Sequence, residues 1–126
     1  MDCPACHKPM IILEFNRVEL DFCAACEGCW MDRGELGLLL HGELDLPEDF
    51  NLTGEKKSKR RCPKCFHRMR AGILPGTDVE VDVCKSDGVW LDQGEAQSIA
   101  RQKADSPHGA AFVDFVTSVF GGAKKN

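Results

Sequence analysis

Residues 18–36 read VELDFCAACEGCWMDRGEL, and residues 79–95 read VEVDVCKSDGVWLDQGE, a near copy of the same sentence. Each copy follows a paired-cysteine opening, Cys3-Pro4-Ala5-Cys6 in the first half and Cys62-Pro63-Lys64-Cys65 in the second. The unit is therefore two thiols, an apolar hairpin, a second ligand pair, a tryptophan and a helix start, and it occurs twice at a spacing of roughly 60 residues.

A chain of 126 residues would ordinarily make one domain, but the repeat divides it into units of about 40 residues. Cores that small bury too little surface to offset chain entropy, so a metal or disulfides must supply the difference. Eight cysteines are present. No charged-then-apolar leader follows Met1, and no run approaches the ~18 apolar residues of a membrane span, so a cytoplasmic location is expected. In that reducing setting, Cys-x-x-Cys pairs about 15–20 residues apart read as metal sites rather than a disulfide framework. Two zinc ions are expected.

In the first unit Pro4 suits the tight turn that aims the Cys3 and Cys6 thiolates at one ion. Met10 to Phe15 and Val18 to Phe22 read as two strands joined through Asn16-Arg17, a connection of hairpin length. The second strand alternates, with Val18, Leu20 and Phe22 on one face and Glu19 and Asp21 on the other. The hairpin returns Cys23 and Cys26 to the first pair, giving the ligand set Cys3, Cys6, Cys23 and Cys26. Cys29, beside Trp30, has Val89 as its counterpart in the second copy, so packing is its expected role rather than redox chemistry or exchange at the zinc. Asp32 to Glu35, repeated as Asp92 to Glu95, reads as a capping box and not as a catalytic carboxylate pair, because no His, Lys or Ser nucleophile lies beside it. A short apolar helix from Leu36 through Leu38, Leu39 and Leu40 closes at His41-Gly42.

The order CPxC, hairpin, CxxC, Trp, apolar residue, Asp, x, Gly-Glu resembles the small transcription-factor-IIB-type zinc ribbons, in two tandem copies. The resemblance implies zinc bound by the four cysteine positions and a small metal-stabilised α+β fold. Each ribbon would be a β-hairpin with two knuckles followed by a short helix. A role linked to transcription is implied more weakly, because similarity of a ribbon is not a shared task.

In the second unit Cys62, Cys65 and Cys84 repeat the first three ligands, around strands at Ile73-Leu74 and Val79 to Val83 and a Pro75-Gly76-Thr77 turn. The fourth cysteine is missing, and this copy is one residue shorter between Cys84 and Trp90, so two counts of its position disagree. Counting forward from Cys84 puts the fourth position on Asp87; counting back from Trp90 puts it on Ser86. Asp87 is the expected ligand, since a carboxylate can bind zinc. His67 and a water in an open position are the alternatives, and an open Cys₃ zinc would be the one route to a zinc-dependent hydrolase. A helix follows over Gly94 to Ala104.

The domain reading is thus ribbon 1 over 1–42, a linker with a basic end over 43–61, ribbon 2 over 62–104, and a C-terminal apolar helix and tail over 105–126. Charge is uneven: residues 1–55 carry 12 acidic and 3 basic side chains, residues 56–70 carry 8 basic and none acidic, and residues 71–126 carry 8 acidic and 5 basic. Unselective nucleic-acid binding over the whole surface is disfavoured by a net charge of −4. A non-enzymatic adaptor with a protein partner is expected. Nucleic acid held through Lys56, Lys57, Lys59, Arg60 and Arg61 is the alternative, and the apolar side of the tail helix, with Phe112, Phe115, Val116, Val119 and Phe120, offers a route to oligomerisation.

Overall fold

The computed structural model describes residues 1–15, 18–36 and 52–103. The Asn16-Arg17 turn, most of the helix expected after Leu36, and the tail helix over 105–126 lie outside the described residues. Among the described residues seven strands form one antiparallel sheet: β1 (Ile11–Phe15), β2 (Val18–Phe22), β3 (Cys29–Asp32), β4 (Thr53–Arg61), β5 (Arg68–Ile73), β6 (Glu80–Cys84) and β7 (Gly88–Leu91). Their spatial order is β1-β2-β3-β7-β6-β5-β4. One helix, α1 (Glu95–Lys103), follows β7.

The two repeats are not separate platforms. Strands β3 and β7 pair in the middle of the sheet, with Cys29 opposite Leu91, Trp30 opposite Trp90, Met31 opposite Val89 and Asp32 opposite Gly88. Each Trp therefore meets its own repeat counterpart, and Cys29 meets the counterpart of Met31. That is the pattern of a self-complementary contact about a twofold axis, here between two halves of one chain. The sequence pattern assigns no element to Trp30 and Trp90 and places a helix start after each. Two four-residue strands are too short to announce themselves by alternation; each is held on one side by a strand of its own repeat, β2 or β6, and on the other by its counterpart across the repeats.

Part of the stretch expected as a linker is regular structure. Residues 53–61 form strand β4, antiparallel to β5, with Lys56 opposite Ala71, Lys57 opposite Arg70 and Arg61 opposite Arg68. Two register irregularities interrupt the ladder, which is why a run of lysines and arginines showed no period. A cationic, bulged strand at the edge of a sheet is a common device against edge-to-edge pairing.

Alternation assigns the faces. On one side Leu20, Met31, Val81, Val83, Val89 and Leu91 pack with Ala96, Ile99 and Ala100 of α1, and Cys29 belongs to this core. On the other, Trp30, Trp90 and Met69 pack with Cys3, Cys23 and Cys62. Helix α1 begins at a half-formed capping box: Glu95 Oε1 accepts the Asp92 backbone N–H at 2.7 Å, as Glu35 Oε1 accepts that of Asp32 at 2.8 Å. The Asp side chains have an unexpected partner. Trp30 Nε1 donates to Asp32 Oδ1 at 3.0 Å and Trp90 Nε1 donates to Asp92 Oδ1 at 2.8 Å, so each indole N–H buried in the sheet is satisfied by the carboxylate two residues on.

Candidate metal centres

Three of the four knuckles share one local design. The chain turns back after Cys-x-x-Cys through a residue with positive φ, His7 at 66°, Glu27 at 64° and Phe66 at 67°. His7 N–H then donates to Cys3 O, Glu27 N–H to Cys23 O and Phe66 N–H to Cys62 O, at 2.7–2.9 Å. Inside the loops, the backbone N–H groups of Ala5 and Cys6 point at Cys3 Sγ (3.3 and 3.4 Å), and those of Lys64 and Cys65 at Cys62 Sγ (3.3 and 3.5 Å). Such donors stabilise a thiolate. The fourth knuckle is shorter: Asp87 N–H closes on Cys84 O at 3.1 Å and the chain passes directly into Gly88. The residue lost relative to the first copy is the positive-φ position that Glu27 fills.

The hairpins bring the ligand pairs together. Cys3, Cys6, Cys23 and Cys26 form one cluster and Cys62, Cys65, Cys84 and Asp87 another, with the ligand atoms of each within 4.8 Å of one another. Cys3 and Cys26 Sγ lie 3.6 Å apart, Cys6 and Cys23 Sγ 3.4 Å, and Cys65 and Cys84 Sγ 3.8 Å. Asp87 Oδ2 is 3.3 Å from Cys62 Sγ and 3.5 Å from Cys84 Sγ. Tetrahedral zinc with sulfur at about 2.3 Å separates two sulfurs by about 3.8 Å, and separates a sulfur from an oxygen at about 2.0 Å by about 3.5 Å. Both clusters fit those edges, and all eight cysteines are free thiols rather than disulfides. Burial pushes the Cys3 and Cys62 thiols up to about 12. A zinc ion would hold these sulfurs as thiolates, and the donor types and spacings of both sets fit two such ions.

Of the competing fourth positions, Ser86 and His67 are exposed and outside the cluster, and the His67 backbone carbonyl instead accepts the Cys62 N–H at 2.8 Å. Cys29 is buried, lies on the opposite face, and belongs to neither cluster.

Sequence reasoning missed how the centres are tied across the repeats. Gly28 and Gly88, each two residues before a tryptophan, pass beneath the other repeat's indole. A Cβ on Gly28 would come within 2.4 Å of Trp90 Cζ2, and one on Gly88 within 2.8 Å of Trp30 Cζ2 and 2.1 Å of Met31 O. Arg33 of the first copy grips the fourth knuckle of the second, its N–H donating to Asp87 O at 2.9 Å and its Nε to Lys85 O at 2.8 Å. Lys64 Nζ reaches back to Asp32 Oδ1 at 2.6 Å. The Gly-x-Trp spelling in both copies was the available signal for the glycines; the ionic ties had none.

Among the described residues no helix is long and apolar enough to cross a membrane. No curated protein and no solved structure matches the chain. A family model for the transcription factor zinc-finger, of the transcription-factor-IIB zinc-ribbon type, matches residues 2–44 and again residues 61–102. With both copies matched and both donor sets assembled, the chain belongs to that zinc-ribbon family.

Proposed function

We propose that this protein is a non-enzymatic zinc scaffold: two structural zinc ions, held by Cys3, Cys6, Cys23 and Cys26 and by Cys62, Cys65, Cys84 and Asp87, fold an adaptor that presents surfaces to a macromolecular partner. The observation that carries this reading is the closed donor set at each centre. With Asp87 as fourth ligand the second zinc has no open position for substrate or water, which argues against hydrolysis there. Zinc ligation contributes on the order of 10 kcal/mol to folding each site. The finer arrangement, in which each half is a ribbon carrying its own short helix, belongs to this proposal, as do a cytoplasmic location and a connection to transcription.

A protein partner is the general form of the adaptor reading. One observation favours nucleic acid as a second form: β4 is a sheet edge with Lys57, Lys59 and Arg61 exposed and without a carboxylate partner among the described residues.

Metal analysis with circular dichroism tests the scaffold. Two zinc ions per chain and collapse of the β signal on complete chelation are expected, with recovery when zinc is returned. A sample that keeps its spectrum with no metal would refute it.

A further inference from the structure

The first knuckles of the two repeats, Cys3–Cys6 and Cys62–Cys65, stand on either side of a cleft of about 370 Å³. It is lined by Pro4 and His7 from one knuckle, Pro63 and Phe66 from the other, and Lys59 and Arg61 from β4, with Asp2 as the one carboxylate. Its size is that of a small-ligand site.

The exposed ring of Phe66 is the feature the fold does not explain, since its backbone conformation is the knuckle geometry that His7 and Glu27 share. Phe66 occupies the positive-φ position of its knuckle at 67° and is 68% exposed. A bulky side chain in that conformation costs about 1–2 kcal/mol, which glycine would avoid and asparagine would reduce. The ring recovers little of this by burial, and the knuckle closes through the Phe66 backbone, not its side chain. An exposed aromatic ring lining a cleft points to a ligand. The cations beside it state what kind. Arg61 donates through Nη1 to the Phe66 backbone carbonyl at 3.1 Å, and Arg61 and Lys59 line the same cleft as the ring.

We propose that this cleft binds single-stranded nucleic acid, with one base stacked on Phe66 and the flanking phosphates on Lys59 and Arg61. Stacking needs a base whose face is open, which a duplex does not offer, and phosphates are the charge complement of a wall with two unpaired cations. An acidic peptide would satisfy the cations but would leave the exposed ring unexplained. The inference rests on the scaffold reading, because zinc holds both knuckles in place.

The test is fluorescence anisotropy on the full zinc-loaded chain, with a labelled mixed-sequence DNA 12-mer, the same sequence as RNA, the duplex, and a polyglutamate peptide. Both single strands are expected to bind, and more tightly than the duplex or the peptide. With two phosphates engaged, log affinity should fall against log salt with a slope of about −1.4. Phe66→Ala should weaken single-strand binding roughly tenfold and leave the duplex unaffected. Phe66→Gly should lose the same binding while keeping or raising the melting temperature, because it relieves the positive-φ strain. Lys59→Ala with Arg61→Ala should flatten the salt slope, and Arg101→Ala, on the helix, should change nothing. Equal binding of duplex and single strand, indifference to Phe66→Ala, or a preference for polyglutamate would overturn the proposal. Two bound zinc ions and an intact spectrum alongside any of those results would leave the scaffold standing; a metal-free folded chain would remove the scaffold whatever the anisotropy showed.

Discussion

Gly28 lies against the Trp90 ring while Gly88 lies against Trp30, so each half of the chain supplies the floor for the other half's indole. The two tryptophans, fully buried and in register across β3 and β7, pack with Cys3, Cys23 and Cys62 of the two metal centres in one side-chain cluster. Each indole is fixed at its polar end by the Asp two residues on, and those carboxylates receive Lys64 and Arg60. The repeats thus share one core and one sheet. A unit of 40 residues has too small a core to stand alone; here two such units and two metal sites stand together.

Substituting these glycines should separate crossing from ordinary turn strain. Gly28→Ala places a methyl group 2.4 Å from Trp90 Cζ2 and 3.0 Å from Leu91 O, and overpacking of this kind costs about 1–3 kcal/mol. Gly88→Ala should be worse, since its Cβ would meet the Met31 backbone oxygen at 2.1 Å, which cannot rotate away, at a φ of 153°. Gly94→Ala meets nothing within 4 Å and carries only the strain of φ 86°, about 1 kcal/mol. Thermal unfolding of the three variants in excess zinc should rank them Gly88, Gly28, Gly94, from the largest loss to the smallest. Equal losses at all three would show that the crossing is not tightly packed.

Cys29→Val should be nearly silent. The thiol is 1% exposed, sits among Met31, Val89 and Leu91 on the helix face, and is pushed up to about 12 by burial. A protonated thiol in that setting is a small apolar group. The variant is expected to keep two zinc ions and to shift stability by less than about 1.5 kcal/mol, the range of near-isosteric core swaps. Loss of one zinc equivalent on metal analysis would reverse that assignment.

Why some of this was legible and some not follows from the residues concerned. Ligand spacing is local chemistry, so Cys3 through Cys26 and Cys62 through Cys84 could be read directly, and counting from Cys84 led to Asp87 because a knuckle is built forward from its first cysteine. The strand pair β3 and β7 was hidden, since each strand is four residues long and the contact of Trp30 with Trp90 joins positions some 60 residues apart. Strand β4 was hidden for a different reason. Its lysines face solvent, Ser58 turns inward to donate to the buried Asp82, and the bulges break the period that would have marked it. The Glu half of each capping box was readable from its spacing. The indole-to-Asp bond was not, because the same Asp could equally have served the helix.

Replacing the odd ligand should separate the two centres. Asp87 is the oxygen donor of the second cluster, on a knuckle lacking the positive-φ closure that the other three share. Under a chromogenic chelator the zinc should leave in two phases, the faster from this site. Asp87→Ala should weaken that site by more than the roughly 10–100-fold that outer-shell changes produce, while the first zinc stays bound. Asp87→Cys restores four thiolates, and the shorter reach of its sulfur is partly offset by the longer zinc–sulfur bond. It should merge the two phases. If Asp87→Ala released zinc no faster than the unmodified chain, the fourth ligand would lie elsewhere.

Glu95 gives the fold a pH dependence whose sign can be worked out. Burial pushes its carboxyl up to about 8 from an ordinary 4.5, with the nearby charges of Asp92, Asp82 and Glu80 acting in the same direction and the Asp92 N–H opposing them. Between those two values the folded chain holds a proton that the unfolded chain has released, so this group's contribution falls as pH rises from 4.5 and levels off above 8. Glu95→Gln keeps an oxygen to accept the Asp92 N–H and removes the charge. In excess zinc, the melting temperature of the variant relative to the unmodified chain should therefore climb from pH 6 to pH 8.5, by about 3 °C given the partial exposure of the site. Acid release of zinc affects both proteins alike and drops out of the difference. A constant offset across that range would mean that the carboxylate is already ionised at pH 6 and that burial at the start of α1 costs it little.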